Sequence, residues 1–185
     1  MKADRRRQLL SAAAALIAER GFAGVRLEDL GSAVGISGPA VYRHFPNKDA
    51  VLVELLVGVS RRLLEGGAAV VSEASGAGDA LEGLIEFHLD FALGEPDLIR
   101  IQDRDLQSLP GDAERQVRHT QRRYVEIWVH ILMDVDPGLN EADARTKAHA
   151  TFGLINSTPH SAPPSAHTRS RRILRQMSRS ALLPG

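Results

Sequence analysis

The 185 residues contain no cysteine. That excludes disulfide frameworks, thiolate nucleophiles and cysteine-based zinc sites together, and it fits a reducing compartment. Aromatic residues make up only 4% of the chain, and the runs of β-branched or aromatic residues that would announce strands are few. No apolar stretch approaches the ~20 residues needed to cross a bilayer. The opening MKADRRRQLLSAAAALIAER begins like a signal peptide, but Glu19 and Arg20 close its apolar run and no small-residue cleavage site follows. A cytoplasmic chain is expected. A Gly-rich phosphate loop, a nucleophile elbow and an HExxH pair are also missing, and the seven histidines are scattered singly. These absences point away from an enzyme and from any metal or cofactor.

Net charge is absent too, but the zero is a sum of unlike parts. Residues 1–50 carry a net +3, residues 51–143 a net −10 and residues 144–185 a net +7. An acidic middle repels nucleic acid, so DNA contact has to come from the ends.

What is present is helical periodicity almost throughout. Residues 4–20 put Leu9, Ala13, Leu16 and Ile17 on one stripe with Gly21 as the stop. Short helices follow at about 27–34 and 38–44, joined by Gly35-Ile36-Ser37, with Ser37 as N-cap and Pro39 in the first turn. Asn47 caps a longer helix from Lys48, and Ala74–Asp79 breaks the chain. Further helices are read at about 80–93, 97–108, 112–133, 141–157 and 166–182, with Asn140 capping the helix at 141–157 and Thr158–Ala166 read as a loop. The expectation is an all-α protein of about nine helices. Its N-terminal three-helix unit is set at 1–47 and a larger C-terminal helical domain at 48–185.

Two short helices joined by a tight Gly-containing turn, behind a third, make a helix-turn-helix, whose second short helix enters the major groove. The segment Ser37-Gly38-Pro39-Ala40-Val41-Tyr42-Arg43-His44-Phe45 suits that role. Gly38 and Ala40 permit close approach, and small apolar groups touch thymine methyls. Tyr42, Arg43 and His44 offer donors, Val41 and Phe45 anchor the helix from beneath, and Lys48 adds charge beside a helix N-terminus.

These residues resemble the DNA-binding domain of the TetR family of transcriptional regulators. The likeness spans residues 9–52 and rests on Ala13, Gly21, Phe22, Leu30, Gly35, Ile36, Ser37, Val41, Tyr42, His44, Phe45, Lys48 and Leu52, above all on the run GISGPAVYRHFPNK. It implies three DNA-reading helices, a ligand pocket and dimer interface built by about six more, Tyr42 and Lys48 as phosphate contacts, and residues 37–44 as the recognition segment. Two positions depart from the family pattern. Arg26 stands where Ser or Thr usually caps the second helix, at a cost of about 1 kcal/mol unless it reaches DNA. Gly31 stands where Ala is usual, at a similar cost.

The resemblance also implies a homodimeric, ligand-released repressor that binds a palindromic double-stranded operator. Phe87, His88, Phe91, Arg100, Arg104, Gln107, Tyr124, Trp128, Phe152 and Asn156 are the candidate pocket residues. The segment LIRIQDRDLQSLP resembles members that sit near acyl-CoA catabolism, which suggests an acyl-CoA effector with Arg100 or Arg104 at its phosphates. Against this, aromatics at helical spacing also build plain cores, His88 reads equally as a hydrogen-bonded core residue, and each arginine can pair with Asp97, Asp103 or Asp105. The basic C-terminus (Arg169, Arg171, Arg172, Arg175 and Arg179) is read as a dimer helix with an Ile173, Leu174 and Met177 stripe whose arginines meet the acidic middle. A second nucleic-acid contact is the other reading. The alternatives in function are an effector-independent regulator or activator and, from another class, a helical interaction module without specific DNA binding.

Overall fold

A computed structural model describes residues 2–161 and 164–183. Its α-helices are α1 (Lys2–Arg20), α2 (Leu27–Ala33), α3 (Gly38–Tyr42), α4 (Lys48–Glu73), α5 (Ala77–Gly94), α6 (Pro96–Asp105), α7 (Gly111–Val135), α8 (Glu141–Ile155), α9 (Thr158–Ser161) and α10 (His167–Leu182), and no strand occurs among the described residues. The all-α fold expected from periodicity is what the structure shows. No helix among the described residues is long and apolar enough to cross a membrane.

Punctuation residues set the short N-terminal elements. Gly21 takes φ +80° just past α1, and Gly35 takes φ +70° just past α2, a left-handed conformation that side chains with a Cβ avoid. The Ile36 amide then donates to the Gly31 carbonyl at 2.9 Å, closing α2 in the Schellman manner. Asn47 Oδ1 accepts from the Ala50 amide at 2.8 Å and Asn140 Oδ1 from the Asp143 amide at 2.9 Å, so both expected asparagine caps form. Ser37 occupies the N-cap position of α3 with extended backbone, but its hydroxyl makes no cap bond. The Pro39 ring removes one of the amide donors that such a cap would serve. The missing Ser or Thr cap at Arg26 is half replaced, because the Arg26 amide donates to Asp29 Oδ2 at 2.8 Å.

The stretch assigned to a loop at Thr158–Ala166 is corrected. It holds α9 and a 3-10 turn at Pro164–Ala166, while residues 162 and 163 lie outside the described residues. Thr158, 2% exposed, donates its hydroxyl to the Ala92 carbonyl at 3.0 Å, and the Ser157 carbonyl accepts from the Ser161 amide. A buried tertiary hydrogen bond thus outweighs local turn propensity.

The chain forms two compact units, one of residues up to Val59 with Asp97–Val117, the other of Ser60–Pro96 with the residues from Arg118 on. This packing does not follow the 1–47 and 48–185 division. In the first unit, Leu9, Ala13 and Ile17 of α1 are buried with Leu30, Val41, Phe45, Leu52 and Ile101. Three contacts tie its parts. Arg6 lies over the Phe45 ring, donates to the His44 carbonyl and pairs with Glu54 of α4 through both carboxylate oxygens. Lys48 Nζ donates to the Phe22 carbonyl at 2.8 Å and lies over its ring. Arg104 of α6 donates to the carbonyls of Ile17 and Ala18 in the last turn of α1, where a cation faces the negative end of the helix dipole.

In the second unit α10 packs on α5 and α8. Leu174 is buried, and Arg171 pairs with Glu86 and Asp90, Arg175 with Glu86, and Arg179 with Glu82. The expected meeting of C-terminal arginines with the acidic middle is therefore found along α5. Two adjacent glycines shape the rest. A Cβ on Gly66 would stand 2.3 Å from Phe87 Cζ, and one on Gly67 would stand 2.6 Å from Tyr124 Cε2.

Gly67→Ala sets about 1 kcal/mol of helix propensity gained against about 1–3 kcal/mol of overpacking on a buried ring. The expected result is a net loss, read as a melting temperature lower by a few degrees. An unchanged or higher melting temperature would contradict the close helix approach.

Candidate functional site

The DNA-facing candidates sit in the first unit on and around α3. Val41 and Phe45 are wholly buried and hold the short helix from beneath, as the sequence pattern suggested. Arg26, Ser37, Pro39, Tyr42 and Arg43 are exposed, and Gly38, Ala40, His44 and Lys48 are half-buried. The structure thus presents one continuous segment from Ser37 to His44. Two candidates are engaged internally. The Tyr42 hydroxyl donates to Glu28 Oε1 at 2.9 Å, which holds its proton more tightly than in a free phenol. Lys48 spends its ammonium on the Phe22 carbonyl. Gly38 has a local role besides close approach, because a Cβ there would come within 3.3 Å of Glu28 Cγ. Gly31 is equally constrained, since a Cβ would meet the Ile36 carbonyl oxygen and Val41 Cγ2 at 2.8 Å each. The absent methyl group lets α2 and α3 approach closely.

Of the candidate pocket residues, six converge in the second unit. His88 is 3% exposed, with the rings of Phe152, Phe91, Tyr124 and Trp128 centred 4.9, 5.7, 5.8 and 6.1 Å away. Its Nε2 lies 3.1 Å from Asn156 Oδ1, and its Nδ1 lies 3.3 Å from the Tyr124 hydroxyl. An amide oxygen only accepts, so Nε2 carries the proton and Nδ1 takes the tyrosine's. Burial, partly opposed by the Asn156 bond, pushes the His88 pKa down to about 4. Burial also pushes the Tyr124 phenol up, against a weaker opposing pull from the Trp128 indole, whose N–H stays short of hydrogen-bond geometry. The result is a neutral polar centre walled by aromatics, with the Trp128 indole N–H left without a partner.

The other four fall elsewhere. Phe87 lies against Gly66. Arg100, Arg104 and Gln107 belong to the first unit. Arg100 pairs with Asp97 at 3.1 Å, and Arg104 is bound to Asp105 and the end of α1. Asp105, 6% exposed, in turn accepts from the Phe22 amide at 3.3 Å. Sequence reading found none of the Arg6–Glu54, Glu28–Tyr42 or Arg104–Ile17 contacts. Only the Glu28 carboxylate, unusual on a surface meant for phosphate, offered a signal.

The comparisons agree with this architecture. Residues 9–55 match "Bacterial regulatory proteins, tetR family", and residues 74–160 match "Tetracyclin repressor-like, C-terminal domain". The HTH-type transcriptional repressor KstR2 of Mycobacterium tuberculosis is 31% identical over 134 residues, covering 70% of this chain and 65% of its own. A TetR-family regulator from Bordetella parapertussis superposes with a TM-score of 0.87 at 21% identity, over 96% of this chain and 93% of the other. AibR, solved in complex with isovaleryl coenzyme A and operator DNA, superposes at 0.81 and 18% identity over 98% and 100%.

The neutral His88 sets a pH dependence. Its folded pKa of about 4 lies below the ordinary 6.5, so between those values the unfolded chain binds the extra proton. Stability from this group is complete above about pH 6.5 and is lost, at up to ~1.4 kcal/mol per pH unit, as the pH falls toward 4. Denaturant unfolding of wild type and His88→Gln across this window should show a steeper fall for wild type. Parallel profiles would contradict a buried neutral imidazole.

With its N-terminal reading head and its C-terminal helical domain both matching, the chain belongs to the TetR family of transcriptional regulators.

Proposed function

We propose that this regulator is a cytoplasmic homodimeric repressor that binds a palindromic operator through residues 37–44 and is released by a small hydrophobic effector at the His88 centre. The observation that carries the effector reading is that centre itself. Stability alone is served as well by an apolar core, whereas three polar side chains converging among four aromatic rings suit recognition of a ligand. An acyl-CoA is the first candidate. A thioester carbonyl takes a hydrogen bond from a neutral donor, which the unpartnered Trp128 indole can supply directly and Tyr124 or His88 by giving up their present bonds, and a fold relative binds isovaleryl coenzyme A. Arg100 and Arg104 have internal partners, so the CoA phosphates are assigned no cation here.

Dimerisation through α8 and α10 is supported by what those adjacent helices leave exposed. Ile173 is 41% exposed and Met177 48%, and Glu141, Ala142, Arg145, Thr146, His149 and Ala150 line an open groove on α8. A two-fold pairing would place recognition helices about 34–36 Å apart, one turn of B-DNA. Met177→Glu should raise the dimer dissociation constant roughly tenfold or more and weaken operator binding with it, as sedimentation and titration would show. A monomeric wild type, or an unaffected variant dimer, would remove this interface.

The close seating of Phe87 on Gly66 and Tyr124 on Gly67 favours a second reading, in which the core is filled and the regulator takes no effector. The two separate in one experiment. The chain has a single tryptophan, Trp128, so its fluorescence reports on the His88 centre. Duplexes spanning DNA around the protein's own gene are titrated at two salt concentrations, with and without acyl-CoAs of increasing chain length. Selective, salt-sensitive binding that an acyl-CoA abolishes while Trp128 emission changes is the expected outcome. Selective binding with silent Trp128 would replace the repressor-effector reading with the second.

A further inference from the structure

We propose that Glu28 is a brake on sequence-blind DNA binding and acts through the phenol of Tyr42. The inference rests on the DNA-binding reading of α3. Glu28 belongs to α2, yet its stem passes over Gly38, the first residue of α3, where a Cβ would come within 3.3 Å. Its carboxylate accepts the Tyr42 hydroxyl proton at 2.9 Å. Both side chains are exposed, Tyr42 at 49%. An acid is therefore fixed on the face that meets DNA, and it holds a donor assigned to phosphate.

The chemistry then decides the sign. A phenol has one O–H proton, and a bond to a carboxylate is charge-assisted, like a bond to phosphate. To reach a phosphate, Tyr42 exchanges one anionic acceptor for another and gains little. Glu28 is left facing the DNA backbone with its proton donor removed, which is repulsive. Where a cytosine lies within reach, the freed carboxylate accepts from its exocyclic amine, and the loss is recovered. Glu28 thus penalises most sequences and spares a few, which raises the specificity ratio by lowering nonspecific affinity.

The test titrates the full-length protein with a mixed-sequence duplex of about three helical turns over a range of salt. Wild type, Glu28→Ala, Glu28→Gln, Tyr42→Phe and the Tyr42→Phe/Glu28→Ala double variant are compared, with far-UV circular dichroism as the folding control. Glu28→Ala should bind roughly fivefold more tightly at low salt; the freed hydroxyl is neutral and releases no counterion, so any change in the log–log salt slope comes only from the carboxylate removed. Glu28→Gln, isosteric and still able to accept weakly, should fall between and serves if the alanine variant is misfolded. In the Tyr42→Phe background the Glu28→Ala gain should shrink below about twofold, since the hydroxyl it frees is gone. A gain of equal size in that background would overturn the proposal in favour of simple charge repulsion. Absence of any gain in Glu28→Ala and Glu28→Gln would overturn it outright. Tyr42→Phe alone should bind within about twofold of wild type, because the braked hydroxyl contributes little there; a marked loss would show that hydroxyl already at phosphate and overturn the brake. If no variant binds the duplex, the DNA-binding reading of α3 fails and the proposal falls with it.

Discussion

A recognition helix of five residues has no stability of its own. Helices shorter than about 12 residues are marginal in water even with good propensities, and α3 contains a glycine and a proline. Its geometry is therefore imposed from outside, by burial of Val41 and Phe45 and by whatever holds the surfaces beneath them. Arg6 supplies part of that support, bonding the His44 carbonyl and Glu54 while lying over Phe45. Phe22 supplies more. Its carbonyl takes the Lys48 ammonium and its amide gives to Asp105, so one residue joins the start of α4 to the end of α6. Lys48, expected at phosphate, contributes to DNA reading first as a strut.

The same constraint explains why the first unit is not a contiguous stretch of chain. Residues 97–117 complete it, and Arg104 and Asp105 dock them onto the end of α1 and the turn that follows. In sequence this segment is bounded by α5 and α7, which carry His88 and Tyr124. A ligand that enters between those two side chains has to displace or strain their hydrogen bond. As an effector-responsive regulator, the protein needs effector and operator to bias one equilibrium between two conformers, which is what a coupling free energy requires.

How much of this the sequence disclosed follows from the range of each interaction. Glycines at positive φ, asparagine caps and helical stripes act within a few residues, so the helices, their order and the buried anchors Val41 and Phe45 were legible. The aromatic group around His88 was legible as candidate pocket residues, because its rings recur at helical spacing. The contacts of Arg6 with α4 and of Arg104 with α1 were not. Arg104 lies 87 residues from Ile17 and Arg6 lies 48 from Glu54, and a guanidinium on a long stem reaches acids or carbonyls on several helices with similar ease. Periodicity says which face such a residue occupies and nothing about which acceptor it finds. Gly31, Gly66 and Gly67 were opaque for the complementary reason, since a missing side chain marks close approach only once the neighbour is known.

Charge now takes on a definite meaning. In the basic C-terminus, Arg171, Arg175 and Arg179 are paired with Glu82, Glu86 and Asp90 on α5. In the first unit, residues 1–50 carry only +3, and the bracing segment 97–117 adds three basic against five acidic residues. A reading head of low net charge draws only part of its affinity from counterion release. The rest has to come from shape and from two heads engaging at once, since a second contact tethered to the first acts at high effective concentration. Affinity of that kind is sensitive to the spacing between heads. A small conformational change that alters the spacing forfeits most of it, whereas a strongly basic head would remain on the DNA. Low charge on the reading head therefore makes binding depend on geometry more than on attraction alone.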